Sequence, residues 1–484
     1  MKRSTCLLLI LLACTHSLRA DLRDTTNAAD YLIISTSELI QQHPWITDLA
    51  DWRDQHGRTS MIVSTEEIWS EFGDGTPSDT HLKEFLHFAR LNWQEPQLAD
   101  VFLIGHHDVV PSHVEESDLV DSIEYVSDYF YVTSGDPEEY QPLFSMGRLP
   151  WSPMMDEPLW DYYSKIVTYE TAAEAPWLHS VHIIADESNS MFDWPDQFAE
   201  PIAELIPPQY SIERDYLDFG PQHDWHGDRD EILANLESGS LMMYFCGHAT
   251  GNIWSEVLQL SATDFVGLTN SPAYPVVVGP MINDIYDLDG QFVVGDVPRA
   301  FLSNPDGGAI AYFAETTVGW ANAGRLYRLQ LTEALFNPEN RTAGSVWQAA
   351  DDAYVEAGPV SGSRRETLLA TMLFGDPGLR LPDRITAAED RPKASIPESV
   401  KLLGSYPNPF NPSTTLRYSV GSPTHVTLTI YDIQGREVRT LIDKVVTSGE
   451  HSVEWRPDSR AAGVYLAALR SGGTQSVTKL VYLK

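Results

Sequence analysis

The chain has 484 residues, enough for two or three domains with cores of their own, and 43% apolar residues with 31 Gly and 31 Pro describe a loop-rich globular protein rather than a disordered one. A formal charge of −37 argues against nucleic acid as a partner, because a phosphate backbone rewards clustered Lys and Arg. The acidity is uneven: residues 396–484 hold 10 Lys/Arg against 7 Asp/Glu, so all of the excess lies in front of them, as a solvated acidic surface.

Residues 1–20 read as an export signal: Lys2 and Arg3, an apolar run from Cys6 to Cys14, and a cleavage position after Ala20. Leu11-Leu12-Ala13-Cys14 also has the form of a lipoprotein box, with Cys14 as the lipidated residue. The run is too short for a retained membrane helix, and no later run qualifies, so no transmembrane segment is expected. Of three cysteines, two lie in this leader, leaving Cys246 alone in the exported chain. A disulfide framework and a multi-cysteine zinc site are thereby excluded.

Tyr31 to Ser35, Ser60 to Ser64 and Val101 to Gly105 read as short buried strands. A helical stretch through Leu49, Trp52 and Arg53 stops at Gly57, and a second helix starts near Ser78 with Leu82, Phe85 and Leu86 on one face. A strand at Leu143 to Leu149 and a helix from Asp156 to Glu170 follow. The alternation then restarts: strands at 180–185, 240–245, 275–278 and 309–313, helices at 194–205, 230–236, 326–336 and 345–355. This alternation predicts parallel βαβ units with ligand sites beyond the carboxyl ends of the strands. Two successive α/β units, residues 21–179 and 180–383, fit it better than one. Residues 384–398 are polar and Pro-bearing, a linker. From 399 to 484 short alternating runs separated by turn residues predict a small β-sandwich.

The tail carries Tyr406-Pro407-Asn408-Pro409-Phe410-Asn411-Pro412, then Tyr431-Asp432-Ile433-Gln434-Gly435-Arg436, Gly463-Val464-Tyr465 and a final Lys479 to Lys484. It resembles the C-terminal sorting domain of type IX secretion cargo, which implies that residues 399–484 engage that machinery and that the protein is secreted or held at the outer cell surface after crossing the periplasm. Residues 30 to 383 resemble the gingipain family of cysteine peptidases. The resemblance is carried by Leu49 to Arg53, Val101 to Gly105 with Val110-Pro111, Ser127 to Tyr131, Gly147-Arg148-Leu149-Pro150, Lys165 to Glu170, Gly247-His248 and Phe374-Gly375-Asp376-Pro377. It implies a caspase-like, two-subdomain α/β/α gingipain fold followed by an all-β immunoglobulin-like sandwich.

By this resemblance His248, on a turn after the strand Ser240 to Phe245, matches the general base that would pair with a thiolate. Glu187 falls where an acid orients that histidine, with Asp186 as the competing residue. The nucleophile should follow the buried run Tyr274 to Gly279, at Met281 or Ile282, and neither side chain can attack a carbonyl. Losing one member of a cooperating pair removes most catalysis. Cys246, two residues before His248, would stand beside the histidine rather than across a substrate groove, and reads as a small buried thiol. No cofactor is required, although Asp284, Asp287 and Asp289 before Gly290 form a candidate calcium loop. His106, His107, Asp108 and His113 lack an evident further ligand, and Trp254, Trp320 and Tyr286 fit a specificity pocket or ordinary core. The leading expectation is a degenerate peptidase that binds polypeptide. An active cysteine endopeptidase using His248 with an atypical nucleophile, and a surface scaffold, are the alternatives.

Overall fold

The computed structural model describes residues 21–483 except 121–122, 136–138, 154–158, 173–174, 190–191, 220–223, 250–252, 256, 280–295, 318, 383–400, 407, 409, 421–423, 433–435, 447–448, 458–459 and 472–473. The chain divides into two compact units, residues 1–386 and 387–484.

Continuous apolar runs such as Tyr31–Ser35 and Met242–Cys246 are buried along their whole length, the pattern of strands covered on both faces. They build one ten-stranded sheet. Its order is Ser60–Ser64, Tyr31–Ser35, Asp100–Ile104, Ser145–Leu149, Thr371–Phe374, Ala311–Glu315, Val276–Val278, Met242–Cys246, Ser180–Ala185 and Ser211–Tyr216. All neighbours run parallel except Ala311–Glu315 with Thr371–Phe374, which are antiparallel. The strands of 21–179 fill one half and those of 180–383 the other. Thr371–Phe374, late in the chain, sits between the halves and joins them into one sheet.

Helix starts follow the capping residues. Ser64 and Glu67 form a reciprocal capping box for Thr65–Phe72, Ser78 caps Asp79–Asn92, and Asp228 accepts from the amides of Asp230 and Glu231 at the start of Arg229–Ser238. The single helical stretch expected before Gly57 is two helices, Ser37–Gln42 and Trp45–Gln55, because Pro44 between them cannot continue the first. Among the pairings that escaped the sequence reading are the hairpins His113–Glu116 with Glu124–Ser127 and Ile253–Trp254 with Leu260–Ser261, and the sheet-edge strand Ser211–Tyr216, hidden by its consecutive charged residues Glu213, Arg214 and Asp215.

Several residues that carry the family resemblance are buried anchors. Arg148 places Nε and Nη2 on the two oxygens of Asp128, each at 2.7 Å, and Nη1 on the carbonyls of Gly105 and Val110. It thereby fixes the loop after strand Asp100–Ile104. Arg53 donates to Glu170 at 2.7 Å and to Asp376 at 2.5 Å, and Asp376 also accepts from Tyr31 at 2.7 Å. Together these groups tie the first helices to the last strand.

The second unit pairs Lys401–Tyr406, Thr414–Val420 and Gly449–Trp455 in one antiparallel sheet, and Glu437–Val446, Thr424–Asp432, Gly463–Ser471 and Thr474–Tyr482 in another. Leu416, Tyr418 and Trp455 of the first sheet share a core with Val426, Leu428, Ile430 and Leu469 of the second, so the two face each other as a sandwich.

Candidate functional site

Four parallel strands, Ser180–Ala185, Met242–Cys246, Val276–Val278 and Ala311–Glu315, end at the same edge of the sheet, where an open α/β sheet forms its crevice. The residues at or just past their ends are Asp186, Gly247 with His248, Gly279 and Glu315. Both glycines are there for close approach. A Cβ at Gly247 would stand 2.4 Å from the Asp186 Cβ, and one at Gly279 would stand 2.0 Å from the Tyr312 hydroxyl.

Asp186 is buried and holds the histidine turn by its backbone. Its Oδ2 accepts from the His248 amide at 3.1 Å, and its Oδ1 accepts from the Ser255 hydroxyl at 2.7 Å and the Glu187 amide at 3.0 Å. Ser255, in a left-handed conformation with φ 60°, returns its amide to the His248 carbonyl at 2.9 Å. Glu187 itself is exposed. The carboxylate tied to the His248 turn is therefore its neighbour, and the tie is to the main chain rather than the ring.

The imidazole is exposed and stands edge-on to Trp194, ring centres 5.0 Å apart, with Phe192 at 5.9 Å. Among the described residues no hydrogen bond reaches its ring. Cys246 faces the opposite environment: it is 0% exposed, and burial pushes its thiol up to about 11. Met281, Ile282 and the carboxylates Asp284, Asp287 and Asp289 lie outside the described residues.

A cavity of about 230 Å³ opens beside His248. Phe192, Trp194, Phe198 and Trp320 wall it, and the Trp320 indole is fixed by a 2.6 Å hydrogen bond to Glu366. The helix Ala321–Phe336 supplies Gly324, Arg325 and Arg328 to the same cavity, the arginines one turn apart on one face. Glu315 enters from the sheet, 5% exposed, and desolvation outweighs the opposing pull of Arg328 to raise its carboxyl to about 7. Gly324 leaves it room, since a Cβ there would lie 2.7 Å from Glu315 Oε1.

The sequence reading missed Glu315, Arg325 and Arg328. A signal exists for the first, an acid that closes the otherwise apolar run Ala311–Glu315 at its carboxyl end. The aromatic trio separates: Trp254 is core, stacked on Phe245 at 4.8 Å, Trp320 lines the cavity, and Tyr286 lies outside the described residues. Of the other histidines, His113 bonds Asp79 at 2.6 Å and stacks on Phe130, and His106 bonds Asp108 at 3.2 Å.

A mostly parallel sheet with a Gly-His turn and an open pocket at its carboxyl edge defines a peptidase-like α/β protein with an all-β tail. The chain belongs to peptidase family C25, whose model matches residues 24–382, and residues 405–483 match the secretion system C-terminal sorting domain. It is a gingipain-like protein. A search of curated proteins finds no match. Among solved structures, the chain is similar to the Arg-specific cysteine proteinase gingipain R, at 18% identity and TM-score 0.59 over 94% of this chain and 98% of that one. It is similar also to Porphyromonas gingivalis RgpB in the complex of its pro- and mature domains, at 18% identity and TM-score 0.57 over 94% and 100%. A third structure, described only as a protease, shares 15% identity with TM-score 0.57 over 95% and 98%. At such identities the likeness is one of fold. The sorting domain marks export through type IX secretion to the cell surface or beyond, and among the described residues no helix is long and apolar enough to cross a membrane.

Proposed function

We propose that this chain is a degenerate member of its peptidase family, which binds polypeptide in the crevice beside His248 without cleaving it. The observation that carries this reading is Cys246. It is the one cysteine beyond the leader, and it lies wholly buried with its thiol raised to about 11. The nucleophile of a cysteine peptidase is a thiolate open to substrate. A buried thiol that stays protonated at neutral pH is neither. Met281 and Ile282, where the family resemblance puts the cysteine, carry no group that His248 could activate. His248 on its turn, with Trp194 and Trp320 from other elements, lines an open, largely aromatic cavity that would receive a side chain of a bound peptide.

The test incubates the purified protein and its Cys246→Ser variant with denatured casein, with binding read by fluorescence anisotropy and cleavage by gel. The expected result is saturable binding by both proteins and no fragments from either. Cleavage by the parent that the substitution abolishes would overturn the proposal, as would the absence of any binding.

A further inference from the structure

The cavity beside His248 has an imbalance of polar groups that indicates what it receives. On the donor side, Arg325 Nε and the Trp194 indole nitrogen are buried without a hydrogen-bond partner. Among the described residues no carboxylate forms an ion pair with Arg325 or Arg328. On the acceptor side stands Glu315, whose Oε2 is likewise buried without a partner, with the exposed ring of His248 also at the cavity wall.

Three kinds of incoming side chain can be compared. A cation would gain Glu315 but would meet two guanidinium groups at close quarters, and like charges in a partly desolvated pocket repel strongly. An apolar side chain would seal the cavity over four polar groups and leave them unpaired, which costs more than the contact gains. A carboxylate satisfies them: guanidinium groups take its two oxygens in fork geometry, and the indole N–H is a further donor. The raised Glu315 carboxyl, when protonated, becomes a donor to that carboxylate as well. Phe198, Trp194 and Trp320 supply an apolar sleeve for the methylenes that carry it.

The geometry points to a pocket that takes an acidic side chain, aspartate or glutamate, of the bound polypeptide, with Arg325 and Arg328 as its recognition groups. This assignment rests on the reading that polypeptide occupies the crevice beside His248.

The experiment titrates the purified protein with fluorescent unstructured peptides that are identical except for one central residue, Glu, Asp, Gln, Lys or Phe. The Glu or Asp peptide is expected to bind at least tenfold more tightly than the Gln and Lys peptides, and the double variant Arg325→Gln, Arg328→Gln is expected to erase that difference. Circular dichroism confirms that the variant is folded. Tighter binding of the Lys or Phe peptide, or an acidic preference that survives the double substitution, would overturn the pocket assignment alone. Failure of every peptide to bind would remove the polypeptide-binding reading and this one with it.

Discussion

At the scale of single residues, the site combines groups left unpaired, Glu315 among them, with others tightly held. Glu315 keeps a carboxyl in a 5% exposed position, with the cavity rather than a partner around Oε2. Its value of about 7 lies above the 4.5 of a free glutamate, so between those values the folded chain holds a proton that the unfolded chain has released. Stability must therefore fall as pH rises through that window, with the full penalty present above it. Replacing Glu315 by Gln removes the titration. The variant's advantage over the parent in urea unfolding is expected to be larger at pH 8 than at pH 5 by roughly 2 kcal/mol. An equal difference at both pH values would show that the carboxyl is not desolvated. Arg325 and Arg328 are the charged groups that line the cavity with it, and neither neutralises it by contact.

At the scale of elements, the family signature turns out to be mainly about assembly. Gly147-Arg148-Leu149-Pro150 and Ser127 to Tyr131 lie far apart in sequence terms from any catalytic role, yet they meet where Arg148 grips Asp128 in a two-point pair, the residues 2% and 5% exposed. Arg148→Ala would leave the Asp128 carboxylate buried without its partner. Removal of one member of such a pair costs about 3–5 kcal/mol, so the urea midpoint of the first unit should fall sharply while that of the sandwich stays put. A loss near zero would mean that Asp128 escapes to water. The same logic links Leu49 to Arg53 with Phe374 to Pro377, since Arg53 and Asp376 are partners in the fold. Continuous apolar strands were legible from sequence because burial on both faces demands them. The hairpin His113–Glu116 with Glu124–Ser127 was not, because its strands are only four residues long and the first alternates partly buried with exposed residues, so it looks like loop.

At the scale of the molecule, each unit has its own core, and the second is the sorting domain. Deletion of residues 399–484 should leave the unfolding midpoint of the first unit unchanged and abolish the protein's appearance at the cell surface. Fractionation of an expressing cell with type IX secretion checks the second outcome, and surface delivery of the truncated chain would contradict it. The first unit is built on one continuous ten-stranded sheet. Its last strand, Thr371–Phe374, lies in the middle, so the halves read from sequence as successive units are closed by a segment more than a hundred residues after the later half begins.

By itself the sequence determined the family, the sorting tail, the alternating α/β order and the place of His248. These are local: they depend on periodicity, turn residues and short ordered motifs along the chain. Tertiary structure alone decided that Asp186 rather than Glu187 holds the histidine turn, and that Glu315, Arg325 and Arg328 share a cavity with His248. The physical reason is that desolvation and charge pairing depend on what lies across the fold. Strand Ala311–Glu315 and helix Ala321–Phe336 meet the histidine turn only because the sheet brings the strands' carboxyl ends to one edge.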